Sequence, residues 1–266
     1  MTTKTDLDHR RQLLERLGFE QVLQMLPEWV EEGVREELAL LPFLDLVCQR
    51  EQDFRQERRI RNALRRSGLP VGKTLESFDF AFQHGVDKGQ IDLLATSEFI
   101  RRKENILLLG PPGVGKSHLA AGLGGRAVQN GFSVTFMSAD HLLELLRRDE
   151  GAESRRLHRR KYMTTAVLII DELGFQTLDR RDAHLLFKVV SYRYERGSTL
   201  ITSNKSIRDW PDMLAGDEVL ATAILDRLLH YCHVVQIDGR SFRLRAMEQM
   251  TQDRGGGLEK AAQGNR

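Results

Sequence analysis

The stretch Gly110-Pro111-Pro112-Gly113-Val114-Gly115-Lys116-Ser117 decides how the rest of this chain is read. Before it runs an apolar segment, Ile106 to Leu109, with the length and composition of a buried parallel strand; after it, His118-Leu119-Ala120-Ala121 opens a helix. Strand, glycine-rich turn and helix form the setting in which the pattern G-x-x-x-x-G-K-[ST] cradles phosphates. Glycines let the backbone curl so that successive N–H groups point inward, and the helix N-terminus adds its partial positive charge at the same place. Lys116 is spaced to reach the β- and γ-phosphates and the Ser117 hydroxyl to ligate Mg²⁺, with His118 completing the segment that meets the nucleotide.

Working outward, 266 residues leave room for one large α/β domain and a smaller one. An apolar content of 41% and a charged content of 29% suit a soluble chain. The net charge is only +2, so any nucleic-acid surface must be local. No apolar run reaches the ~18 residues of a membrane span. The opening MTTKTDLDHRRQ lacks the apolar centre of a signal peptide, and a cytoplasmic location is expected. Cys48 and Cys232 lie far apart and are expected to be reduced core residues.

Residues 1–69 read as a small all-helical domain. Pro27 is placed to open one helix carrying Trp29, Val30, Val34 and Leu38, and Pro42 a longer one carrying Phe43, Leu46, Val47 and Phe54. The longer helix ends in a basic stretch before Ser67-Gly68-Leu69-Pro70 stops it. Acids vanish beyond Glu57 while arginines continue, which makes Arg58, Arg59, Arg61, Arg65 and Arg66 candidates for DNA contact, against the alternative of a solvated face.

Residues 70–250 read as the nucleotide domain. A linker with Leu75, Phe78 and Phe80 leads to a helix over Asp87–Arg101. Further strands are expected at Phe132–Met137, Val167–Ile170, Thr199–Thr202 and Val234–Ile237, alternating with helices over Asp140–Arg148, Asp182–Arg196 and Val219–Leu229. Such alternation implies a parallel, doubly wound α/β sheet. Gly122, Gly124 and Gly125 sit in the helix behind the phosphate loop, where each costs about 1 kcal/mol against Ala, so close packing on the sheet is expected of them. A second basic region holds Arg155, Arg156, Arg159, Arg160 and Lys161, again readable as a solvated face or a DNA surface. Residues 251–266 lack apolar content and are expected to be a disordered tail.

Ligands of open α/β sheets sit at the carboxyl ends of the strands. One such end carries Asp171-Glu172 after four aliphatics. Asp171 is suited to hold the Mg²⁺ water shell, and Glu172 to orient and deprotonate an attacking water. Another end presents Asn204, whose amide can hold that water or sense the γ-phosphate. Arg227 is the candidate for the cation that stabilises the phosphoryl-transfer transition state, and Arg243 for a second nucleotide-sensing role. Asn204-Lys205-Ser206-Ile207 lacks the aspartate of a guanine-specific N-K-x-D signature, and neither a transporter-type signature nor a nucleotide-kinase lid is present.

LLLGPPGVGKSHLA, VLIIDELGF, SYRYERGSTLITSNKS, AILDRLLH and IDGRSFRLR together resemble the IstB transposition-helper ATPases, members of the AAA+ superfamily related to DnaC and DnaA. The resemblance implies an AAA+ P-loop fold behind the helical domain. It assigns ATP and Mg²⁺ as cofactors, Asn204 as sensor, and Arg227 as a finger donated to a neighbouring copy. Ser117 stands where many relatives have Thr, and Phe242 where Tyr is usual. It further implies ATP-dependent self-assembly on duplex DNA and recruitment of a partner transposase, with the helical domain serving DNA contact or self-association. A helicase loader and a non-hydrolysing nucleotide-binding scaffold stay open as alternatives, the second disfavoured by Glu172.

Overall fold

The computed structural model describes residues 9, 12–150 and 160–245. Its backbone divides into two compact units, Met1–Asn62 and Ala63–Arg266.

In the first unit, helix α1 (Glu20–Arg35) and the part of α2 (Leu40–Ser67) up to Asn62 pack Val22, Trp29 and Val47 into a small core edged by Phe19, Met25, Leu26 and Phe43. Pro27 does not open a helix as its position suggested; it lies inside α1. Val22 and Trp29, on either side of Pro27 in the same helix, are both buried, although an interior proline costs ~3 kcal/mol. The N-terminus of α1 is held by a distant residue instead: buried Glu51 accepts the N–H groups of Gln21 and Val22 at 3.0 and 3.1 Å and pairs with Arg55 at 2.8 Å. Cys48, expected in the core, is exposed, because its position on α2 falls off the stripe that buries Val47.

The second unit is built on a five-stranded parallel sheet: β1 (Asn105–Leu109), β2 (Val134–Ser138), β3 (Val167–Leu173), β4 (Ser198–Ser203) and β5 (Cys232–Gln236), in the order β2-β3-β4-β1-β5. Helices α3 (Lys88–Ala95), α4 (Glu98–Arg101), α5 (Lys116–Gln129), α6 (Ala139–Asp149), α7 (Lys161–Thr164), α8 (Arg180–Arg193), α9 (Trp210–Met213) and α10 (Glu218–Leu229) connect them. The central strands β1 and β4 are fully buried, β1 largely by aliphatics and β4 by hydroxyl residues flanking Leu200 and Ile201, as a parallel sheet covered on both faces requires. Placing β1 between β4 and β5 sets the carboxyl ends of β3, β4 and β1 side by side, and that adjacency creates the site.

Two local expectations change. The single helix over Asp87–Arg101 is two, because Ser97 adopts a left-handed φ of 66° and its buried hydroxyl takes the Asn130 side-chain amide at 2.9 Å. Of the three glycines in α5, two are explained by close packing: a Cβ on Gly122 would stand 2.6 Å from the Leu75 side chain, and one on Gly124 2.7 Å from Ile169. Gly122 therefore packs on the linker rather than on the sheet, and Gly125 faces open space.

Arg193 is buried at the C-terminus of α8, among the described residues without a carboxylate partner. Its guanidinium donates to the carbonyls of Tyr162, Met163, Thr165, Ala166 and Ser198 and to the Thr199 hydroxyl, tying α7 and the start of β3 to β4. Burial lowers its pKa to about 10, leaving it charged at neutral pH. Among the described residues no helix is long and apolar enough to cross a membrane.

Candidate nucleotide-binding site

The phosphate loop leaves β1 at Leu109 and enters α5 at Lys116, with Gly113 and Gly115 at φ values of 85° and 100°. Those conformations suit glycine, and close neighbours reinforce the choice: a Cβ on Gly113 would stand 2.1 Å from the Ser241 hydroxyl. The loop opens into a cavity of about 530 Å³, lined by Pro112, Gly113, Gly115, Lys116, Ser117 and His118, with Gly110, Pro111 and Val114 shaping the turn behind it. Lys116 Nζ donates to the carbonyls of Gly110 and Pro111, both at 2.7 Å. Burial lowers its pKa; Asp171 and Glu172 oppose that shift, and Arg243 adds to it. His118 turns to the linker, its Nε2–H donating to Thr74 O at 2.8 Å with Ser77 Oγ at 3.0 Å.

Glu172, Asn204 and Arg243 line the same cavity, so the structure brings these sequence-derived candidates together with the loop. Asp171 is buried behind them. How Asp171 and Glu172 come to differ is visible in the strand register. Ile170 pairs with Ile201 and Leu173 with Ser203, so Asp171 and Glu172 together face the single residue Thr202. This is a bulge in a parallel pair, with Glu172 at φ 60°, and it turns the Glu172 side chain outward while Asp171 stays inside. The fully buried Thr202 fills the gap, donating its hydroxyl to Asp171 Oδ1 at 2.5 Å and accepting the Glu172 N–H at 2.9 Å.

Sequence reasoning missed Thr202, although a residue two positions before Asn204 in an extended segment shares its face and was a usable signal. It also missed how 240–245 crosses the loop. Phe242 N–H donates to Gly113 O at 2.9 Å, and the Gln83 amide donates to Val114 O and Arg240 O at 2.9 and 3.1 Å. Arg245 lines the cavity, paired with Asp79 at 3.2 Å and lying 4.4 Å over the Phe82 ring. The signal for Gln83 was absent, since nothing local distinguishes it from a surface glutamine.

Arg227 is not in this cavity. It sits in the last turn of α10, donating to Ala223 O at 2.7 Å and lying 5.0 Å over the Phe187 ring, beside a separate depression with Glu218, Thr222 and Asp226. Of the basic candidates, Arg58 pairs with Glu20, and Arg59, Arg61, Arg65 and Arg66 are exposed. Arg160 pairs with buried Asp149 at 2.7 Å, and Lys161 donates to Arg66 O. Arg155, Arg156 and Arg159 lie outside the described residues, as does 251–266.

A strand–loop–helix phosphate cradle with two carboxylates at the end of β3, one strand removed across β4, agrees with what the whole chain is similar to. The family model of the IstB-like ATP binding protein matches residues 12–250. The chain belongs to the IstB-like ATP-binding family. It is 43% identical over 235 residues to the insertion sequence IS21 ATP-binding protein of Pseudomonas aeruginosa, covering 88% of each chain. It is 45% identical over 205 residues to the corresponding IS5376 protein of Geobacillus stearothermophilus, covering 76% of this chain and 80% of that one. Among solved structures, DnaI superposes with a TM-score of 0.52 at 20% identity, over 67% of this chain and 94% of that one. The IstB-like chain thus has the AAA+ α/β fold expected of it.

The donor set also fits Mg²⁺. Ser117 and Asp171 offer hard oxygen ligands, and among the described residues no group of three or more His, Cys, Asp or Glu forms an all-protein metal cage. Mg²⁺ in nucleotide sites is held in that sparse way, by one or two protein oxygens together with the phosphates.

Proposed function

We propose that this IstB-like protein is an ATPase that assembles with further copies of itself on duplex DNA and recruits a partner transposase to the chosen target. The observation that carries the reading is the convergence of Lys116, Glu172, Asn204 and Arg243 on one cavity at the mouth of the phosphate loop. The relatives named for insertion sequences support the transposition setting.

The chain's own residues divide the work. Backbone N–H groups of 113–117 and the α5 N-terminus bind the phosphates, Lys116 holds the β/γ oxygens, and Phe78 and Phe242 offer an apolar wall to the base. Ser117 and Asp171 would hold Mg²⁺, which when bound neutralises charge on the phosphates. Glu172 takes a proton from the attacking water and Asn204 orients it. Arg243 senses the nucleotide from the crossing segment. Arg227 serves the site of a neighbouring copy, which makes hydrolysis depend on assembly. Residues 1–69 form the DNA-contacting or self-associating domain, residues 70–250 the ATPase domain, and the protein works in the cytoplasm. Phosphate contacts from exposed arginines favour binding with little sequence preference.

The test is ATP turnover measured with and without duplex DNA, alongside particle mass with and without ATP. Turnover that rises with duplex DNA and an ATP-dependent gain in mass are expected. No DNA response together with no assembly overturns the reading, and a clear preference for single-stranded DNA transfers it to a helicase loader.

A further inference from the structure

We infer that Thr202 is a positioning residue for the two carboxylates, holding Asp171 for Mg²⁺ and Glu172 for water through one hydroxyl group. The inference rests on the hydrolytic reading above and deepens it. Its ground is the bulge at the end of β3, where Asp171 and Glu172 share Thr202 as their only β4 counterpart.

A two-against-one register leaves part of the ladder unmade, and a buried N–H without an acceptor is costly. Thr202 resolves this with a side chain rather than a carbonyl. Its oxygen accepts the Glu172 N–H at 2.9 Å, which anchors the left-handed backbone that turns Glu172 into the cavity. Its hydrogen goes to Asp171 Oδ1 at 2.5 Å, which fixes the carboxylate that would face the metal's water shell. The hydroxyl is fully buried, in the wall of the nucleotide cavity. On the far side, Thr202 pairs in register with Leu108 of β1, two residues before Gly110, so the same backbone also borders the phosphate loop. One donor–acceptor group therefore sets the spacing between phosphate, metal ligand and base. Valine has the same shape and none of this chemistry; serine has the chemistry without the methyl.

The experiment compares full-length wild type with Thr202→Val, Thr202→Ala and Thr202→Ser. Affinity for a fluorescent ATP analogue is titrated in EDTA and in Mg²⁺, kcat and KM are measured separately, and thermal melts establish folding. Both hydroxyl deletions should retain EDTA affinity, lose about 10- to 100-fold in the Mg²⁺ enhancement and in kcat, and leave KM less affected. Thr202→Ser should restore most of both. Unchanged Mg²⁺ enhancement and kcat in Thr202→Val or Thr202→Ala overturn the inference. So does equal loss of affinity in EDTA and in Mg²⁺, or a serine variant no better than valine, since those mark a merely structural role. Should wild type bind ATP with a Mg²⁺ enhancement yet never turn it over, the hydrolytic reading falls, and the Mg²⁺ enhancement in the variants alone decides for or against Thr202.

Discussion

Lys116 Nζ lies 2.7 Å from the carbonyl oxygen of Gly110, six residues before it in the same loop. With Pro111 O at the same distance, the loop's own carbonyls take two of the three ammonium hydrogens. Nucleotide binding brings anionic oxygens into competition with these neutral acceptors.

The competition has a protonic consequence. Burial lowers the Lys116 pKa below the ordinary ~10.4, and a bound triphosphate raises it again. Between the lowered and ordinary values, ATP binding should therefore take up a fraction of a proton. Calorimetry at alkaline pH in two buffers of different ionisation heat should report this uptake, and Lys116→Met should abolish it along with most binding. Buffer-independent heats would contradict the assignment. By the same sign, the unfolded chain binds more protons at Lys116 across that window, so this group's contribution to the nucleotide-free protein's stability rises with pH.

Arg227 and Glu172 provide complementary defects. Glu172→Gln should bind ATP but lose turnover about 10²- to 10⁴-fold. Arg227→Ala should bind ATP and lose about 10³-fold or more. If the arginine acts on a neighbour, mixing the two inactive proteins creates interfaces in which an intact Glu172 meets an intact Arg227. Partial rescue is expected on mixing; its absence at every ratio would exclude a donated finger.

Arg59, Arg61, Arg65 and Arg66 are exposed, whereas Arg160 is paired with Asp149 and Lys161 is bound to a carbonyl. Replacing the four helical arginines by alanine should weaken DNA binding without regard to sequence. The slope of log affinity against log salt should fall by about 0.9 for each phosphate that an arginine no longer neutralises. Replacing Lys161 should instead lower thermal stability more than DNA affinity. An unchanged salt slope in the fourfold variant would move the DNA surface elsewhere.

The two cysteines should separate by reactivity. Cys48 is exposed, while burial pushes the Cys232 thiol up to about 12, a shift that the Leu107 backbone N–H only moderates. At pH 8 roughly 10⁻⁴ of Cys232 is thiolate, so native protein should take up one equivalent of a thiol reagent and Cys48→Ser none. Two equivalents at equal rates would show that Cys232 is not protected.

Local chemistry made much of this protein legible in its sequence. The phosphate loop, the aliphatic run ending in Asp171-Glu172 and the alternation of strands and helices depend on neighbours within a few residues; the first two appear where their patterns placed them, and the alternation does so with two strands shifted by up to two residues and one helix divided. Misreadings arose where a distant group overruled a local signal. Pro27 lies inside α1, whose Val22 and Trp29 share one core; Ser97 stands between two helices and meets Asn130; Cys48 faces solvent because of its angle on α2. Gln83 could not be assigned from sequence for the same reason, and for Thr202 the spacing to Asn204 gives the shared face but not the partners. Thr202 acts through a register shift between strands about 30 residues apart, and Gln83 through carbonyls 31 and 157 residues away. Sequence alone picked out the groups whose type and short spacing suit them to phosphate, metal and water. Which carboxylate is buried, which is presented and what holds them there was decided only when the strands paired, because a bulge exists between two strands and in neither one.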